Sequence, residues 1–383
     1  METLKPTLKR GRDVWDPINM PATEFQARVE TLREVMGRKG LDLLLIYGYG
    51  PDAYGDQCYI SNFLIKMPRG ALVAIPAEGE VSLFVEGFPR DQPFVECTTW
   101  IKDIHTCKDV AEGCRGYIHE QPVRPETIGL AGLRAHMPYG QFRLLTQGLS
   151  PANLVASDDI LSDMRALKSI REQDQVRRAA RIVERTFSYL ATASWPEKNE
   201  TILEAGLDYF ARLQGAEDVR VLVARQNEAD GALRLARDAS LAVGDGMIVY
   251  LAVSFERYWS EGIRTLVATH GGLELSSDEA VRELYMRIVN RITRQKTIVS
   301  FQTEVRDEIK NSPFAHLARY DLGQGIGLSL SEAPAIAGEE DGCFQAGHCL
   351  ALRLDLMDQK GTRFVRGDTL LVTQTGGQVL TTL

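Results

Sequence analysis

Residues 249–265 read VYLAVSFERYWSEGIRT. Two strand-length runs, rich in β-branched and aromatic residues, are joined only by Phe-Glu-Arg, and that leaves room for little but a β-hairpin. An acid, Glu261, stands in the middle of the second run, and a polar ring, Tyr250, interrupts the first. Strand alternation puts Ile248 and Ala252 on Tyr250's face. Tyr250 is therefore either a hydrogen-bonded core residue or part of a site on that face.

The 383 residues around this hairpin are enough for two domains. Residues 1–20 have little periodicity and are expected to form an arm. A helix follows, with Thr23 and Gln26 as a capping-box pair, Phe25, Val29, Leu32 and Met36 on one face, and Gly40 as its stop. LDLLLIYG (41–48) reads as a buried strand, and ALVAIP and VSLFVEG, joined by AEGE, as a hairpin. These elements predict an α/β first domain over 21–155. Charged helices over 158–191, with Ser157 as a cap, lead into a second domain, 156–383. Its helices (200–213, 277–295, 301–311) and strands (218–224, the 247–269 hairpin, 321–336, 347–356, 364–373, 378–382) predict an α+β domain. In it, an antiparallel sheet carries helices on one side.

The net charge of −8, with no long run of Lys or Arg, argues against a nucleic-acid partner. No run approaches the about 18 apolar residues a membrane span needs, and the first residues lack the apolar core of a signal peptide. Six cysteines without a CxxC pair read as free thiols, and the expected location is cytoplasmic.

Five segments resemble one known family. MRALKSIREQDQVRRAARIVERT, SLAVGDGMIVYLAVSFERYWSEGIRTLVA, LGQGIGLSLSEAPAI, FQAGHCLALRLDL and VRGDTLLVTQTGG are similar, in this order, to the signature segments of the pita-bread family. That family includes creatinase, prolidase, Xaa-Pro aminopeptidases and methionine aminopeptidases. The resemblance implies a creatinase-like first domain, a pita-bread second domain and a homodimer.

The resemblance also implies where metal ligands would stand. Metal-binding members use two aspartates, a histidine and two glutamates, because two close divalent ions need carboxylates to offset their charge. Those positions fall here on Tyr250, Glu261, Gln324, Arg353 and Gly367. Ser331 takes a further position that is histidine in many relatives. The family set sums to −4 and this one to zero, with a guanidinium that cannot be deprotonated. No metal and no other cofactor is expected. Creatinase, the metal-free relative, offers no substitute set: the match through Asp230-Gly231-Ala232 puts Leu233 at its histidine, and Ile263 and Arg353 at its glutamates.

Arg353 either grips a substrate carboxylate or phosphate, or forms a salt bridge with Glu261, and the two are compatible. Glu261 is the candidate general base and Tyr250 its companion. Gln324, Ser331 and Asp355 are candidate substrate contacts; Asp355, on Arg353's face by alternation, either lines the site or simply pairs there. His348 alternates to the opposite face and Asp368 faces away, while Arg264 reads as architectural. Gly323, Gly325 and Gly327 precede no helix and make no phosphate loop. The functional expectation is a metal-independent enzyme acting on a small anionic substrate, by C–N hydrolysis or by a lyase or cyclisation step. The alternative is a non-catalytic binding or scaffold protein on the same fold.

Overall fold

The computed structural model describes residues 14–50, 53–65, 67, 69–192, 199–226, 232–276, 279–317, 321–338 and 342–382. Most of the expected arm and the Asp230-Gly231 pair lie outside the described residues. The chain divides between Arg165 and Ala166 into two compact units.

The first unit is α/β, as expected. Its strands β1 (Leu43–Tyr49), β2 (Gly70–Pro76), β3 (Ser82–Glu86), β4 (Asp103–Cys107), β5 (Thr127–Ala131) and β6 (Asn153–Ala156) form one sheet in the order β4-β3-β2-β1-β5-β6. The predicted hairpin is the antiparallel β2–β3 pair, while β4, β5 and β6 join in parallel. The first helix, Ala22–Lys39, buries Phe25, Val29, Leu32 and Met36 and ends at Gly40, whose φ of 64° is the left-handed turn that favours glycine. Its start corrects the sequence reading. Pro21 holds the N-cap position and no side chain caps the helix, so Thr23 and Gln26 are no capping box. The extended proline (ψ 160°) sets the entry instead, and its carbonyl accepts from the Glu24 N–H.

The second unit is built on one antiparallel sheet. Strands β7 (Asp218–Arg225), β8 (Gly246–Phe255) and β9 (Tyr258–Ala268) lie at one end, with β10 (Leu273–Leu275) beside β9. Beyond them come β11 (Phe314–Leu317), β12 (Gly323–Gly325), β13 (Glu332–Ala335), β14 (Cys349–Asp358), β15 (Arg363–Val372) and β16 (Gly377–Val379). The main path runs β13-β12-β14-β15-β9-β8-β7. The two-residue turn of the β8–β9 hairpin, Glu256-Arg257, has positive φ at both positions (46° and 73°). Arg257 is buried there, its backbone N–H 2.6 Å and its Nη1 3.4 Å from the Glu217 carboxylate.

Alternation sorts the two faces of this sheet. Val249, Leu251 and Val253 pack with Val183, Phe187 and Leu207 of the helices Ile170–Thr192 and Glu200–Leu213. Leu350, Leu352 and Leu354 pack with Leu284, Ile288 and Phe301 of Glu279–Val289 and Ile298–Lys310. Burying each such leucine contributes roughly 1.5–3 kcal/mol, so a one-residue slip that turned them outward is strongly opposed. The same register sends Tyr250, Ala252, Glu261, Ile263, Arg353 and Gly367 to the opposite face.

Candidate active site

Three sequence-predicted residues meet on that face. Cross-strand pairs Tyr250↔Ile263, Ala252↔Glu261, Gly367↔Ile263 and Arg353↔Gly367 line them up over β8, β9, β15 and β14. The Tyr250 hydroxyl donates to Oε2 of Glu261 at 2.8 Å, and Nε of Arg353 donates to Oε1 at 2.8 Å. Glu261 and Tyr250 are buried, while Arg353 keeps 25% of its side chain exposed. Among the described residues its two terminal amino groups have no hydrogen-bond partner. Trp259, two residues before Glu261, carries the Arg220 guanidinium 5.2 Å from its ring centroid.

The electrostatics follow from this packing. Burial pushes the Tyr250 phenol well above its usual range, and the Glu261 carboxylate adds to the rise against the lowering by Arg353 and Arg220. Burial works against the charge of Arg353, but Glu261, with Tyr250 and Asp321, more than offsets it and leaves its pKa raised. Tyr250 is thus a lasting donor and Arg353 a permanent cation.

Gln324 stands opposite Ala351 of β14 and Asp355 two residues along from Arg353, so both share the trio's face. The Gln324 amide donates to the Leu330 carbonyl at 2.9 Å, and Ser331 is exposed; neither hydrogen-bonds to the trio among the described residues. Asp355 is buried and engaged by Arg363, with Nε 2.6 Å from Oδ1. On the helix-packed face Arg264 donates to Asp368 at 2.6 Å and to the Gly367 and Thr381 carbonyls, in keeping with an architectural role. His348 is buried and its Nδ1 accepts from the Gln345 N–H.

Thr369 escaped the sequence reading. Its hydroxyl accepts from the Glu261 N–H at 2.8 Å and from the Ser260 hydroxyl at 2.9 Å, and donates to the Glu261 carbonyl at 3.0 Å. Alternation from Gly367 would have placed it on the site face, two residues on.

Two family models cover this chain. Metallopeptidase family M24 matches residues 174–374, more than half its length, and the Creatinase/Prolidase N-terminal domain matches 28–167. The chain belongs to metallopeptidase family M24. A Xaa-Pro dipeptidase of Pyrococcus horikoshii is 21% identical over 368 residues, covering 92% of this chain and 96% of that protein. An uncharacterized peptidase of Bacillus subtilis is 20% identical over 368 residues, 92% of this chain and 97% of its own. Among solved structures, the prolidase from Pyrococcus horikoshii OT3 superposes with a TM-score of 0.76 at 20% identity, over 93% of this chain and 98% of that one. A Xaa-Pro dipeptidase from Bacillus anthracis gives 0.78 at 19% identity, over 94% and 98%. The pita-bread fold of this M24 member is therefore shown.

The M24 name implies a metal pair, and the residues present do not fit one. Of the five implied ligand positions only Glu261 is a carboxylate, and both its oxygens already accept from Tyr250 and Arg353. Gly367 offers no side-chain donor atom, and a Cβ built there would stand 2.9 Å from Cγ1 of Ile263, so the room a glutamate needs is filled. Among the described residues no group of three or more His, Cys, Asp and Glu side chains could hold a metal ion.

Proposed function

We propose that this M24 chain hydrolyses a C–N bond in a small carboxylate-bearing substrate without a transition-metal pair. The observation that carries the reading is the Arg353 guanidinium. Its Nε is turned to Glu261, its two terminal amino groups have no hydrogen-bond partner among the described residues, and the side chain is 25% exposed, which leaves an end-on fork for a carboxylate to take bidentately. The substrate carboxylate binds this fork, and the scissile carbonyl lies over Glu261. Each Glu261 oxygen keeps a second lone pair for a water, so its two existing hydrogen bonds do not block it. Glu261 accepts a proton from that water as the oxygen attacks the carbonyl carbon. The C–N bond then breaks and the proton passes to the departing nitrogen. Tyr250, held protonated by burial, keeps the acid oriented.

Xaa-Pro dipeptides, for which several relatives are named, carry both a C–N amide and a carboxylate and are the first substrates to test. The experiment follows amine release from Xaa-Pro dipeptides and N-acyl amino acids in excess chelator, beside thermal shifts with the same compounds. Turnover that survives the chelator, is lost in Glu261→Gln and leaves the thermal shift in place supports the reading. Turnover that needs added Mn or Co defeats it. Stabilisation by none of these compounds, with a protein partner recovered instead, favours a non-catalytic binding protein.

A further inference from the structure

We propose that Thr369 is the positioning residue for Glu261, setting where its carboxylate stands between Tyr250 and Arg353. The inference rests on the reading of Glu261 as the reacting acid. On β9 and β15 the recorded pairs are Gly367↔Ile263 and Asp368↔Gly262. One step on, where Thr369 faces Glu261, the side-chain hydroxyl takes over from the ladder. It accepts from the Glu261 N–H and donates to the Glu261 carbonyl, closing both backbone groups of that residue. The Ser260 hydroxyl supplies its second incoming bond, so the one donor and two acceptor sites of Thr369 are all used.

The clamp is itself held from behind. The Thr369 N–H donates to Oγ1 of Thr381 at 3.1 Å, Thr381 donates to Asp368 at 2.7 Å, and Arg264 donates to the same Asp368 oxygen. Every member of this chain is buried: Thr369 and Ser260 are fully enclosed, and Arg264 is 5% exposed. Because the buried Thr369 hydroxyl has every one of its hydrogen-bonding sites filled, displacing it strands a polar group, and that favours one geometry. Thr369 touches no reacting atom in this arrangement; it acts through the backbone of Glu261.

The test needs no substrate. Tyrosine labelled with carbon-13 at Cζ reports the hydrogen bond of each phenol by NMR at neutral pH. The Tyr250 signal is identified by its loss in Tyr250→Phe, and Glu261→Gln gives its position without the carboxylate. Thr369→Ser, which keeps the hydroxyl, should leave the Tyr250 signal at the wild-type position, and Thr369→Val should move it toward the Glu261→Gln position. Should the valine variant not fold, Thr369→Cys, with only a weak S–H donor, should give a smaller displacement in the same direction. A folded Thr369→Val or Thr369→Cys protein with an unmoved Tyr250 signal overturns the inference, even where its melting temperature falls. Failure of the catalytic reading shows separately, as turnover that persists in Glu261→Gln.

Discussion

Ile263 and Gly367 face each other across β9 and β15, and the isoleucine fills the space a side chain at 367 would need. A Cβ there would lie 2.9, 3.1 and 3.3 Å from Cγ1, Cδ1 and Cβ of Ile263. Gly367→Ala should therefore overpack the site face and cost about 1–3 kcal/mol. Ile263→Ala in the same chain should restore part of that loss. Urea midpoints of the two single variants and the double variant measure it, and simple additivity would show that the two side chains do not compete for one space.

Arg353→Lys keeps the charge and loses the planar fork. For the carboxylates that stabilise the wild-type protein, affinity should fall by about 30- to 1000-fold, the equivalent of ~2–4 kcal/mol for a lost bidentate contact. Titration calorimetry on the two proteins reads this directly. Unchanged affinity would mean that the guanidinium serves Glu261 alone.

Metal content follows from the same constellation. Protein purified without chelator and dialysed should hold far less than one Mn, Co, Zn or Fe per chain by elemental analysis. One equivalent or more, lost in Glu261→Gln, would place a metal where the guanidinium and Ile263 leave none room.

Acid should destabilise the fold through His348. Burial first, and then the charge of Lys168, lower its pKa from 6.5 to about 4. The unfolded chain takes up this proton below pH 6.5 and the folded one only near pH 4. The stability contributed by neutral His348 is thus complete above pH 6.5 and lost as the pH falls from 6.5 to about 4, by at most ~1.4 kcal/mol per pH unit. His348→Asn, which keeps an acceptor for the Gln345 N–H, should flatten urea midpoints across that window. An unchanged slope would assign the acid loss to other groups.

Local chemistry made much of the fold readable. Phe-Glu-Arg between two apolar runs gives the hairpin, and Gly40 stops the first helix because glycine accepts the left-handed turn at little cost. Glu261 and Arg353 were legible as neighbours because they stand at implied ligand positions of one resembled site. Partners set by three-dimensional register were not legible. Asp355 alternates onto Arg353's face, yet its carboxylate goes to Arg363 on the adjoining strand, a choice that no spacing along the chain dictates. Thr369 looks in sequence like any β-branched strand residue, and only the pairing of β15 with β9 brings its hydroxyl to Glu261. Pro21 displaced the expected cap because its own extended backbone already sets the helix entry.

The buried Glu256-Arg257 turn, gripped by Glu217, anchors the hairpin at its tip. Tyr250 and Glu261 therefore ride on a beam fixed at its end, while Arg353 reaches in from β14 on a long, part-exposed side chain. In such an arrangement the acid is the stationary jaw and the cation the adjustable one. A substrate a little longer or shorter would be met by a change in the pose of Arg353, so new substrate preferences would be expected to arise through its neighbours on β14 and leave the hairpin as it is.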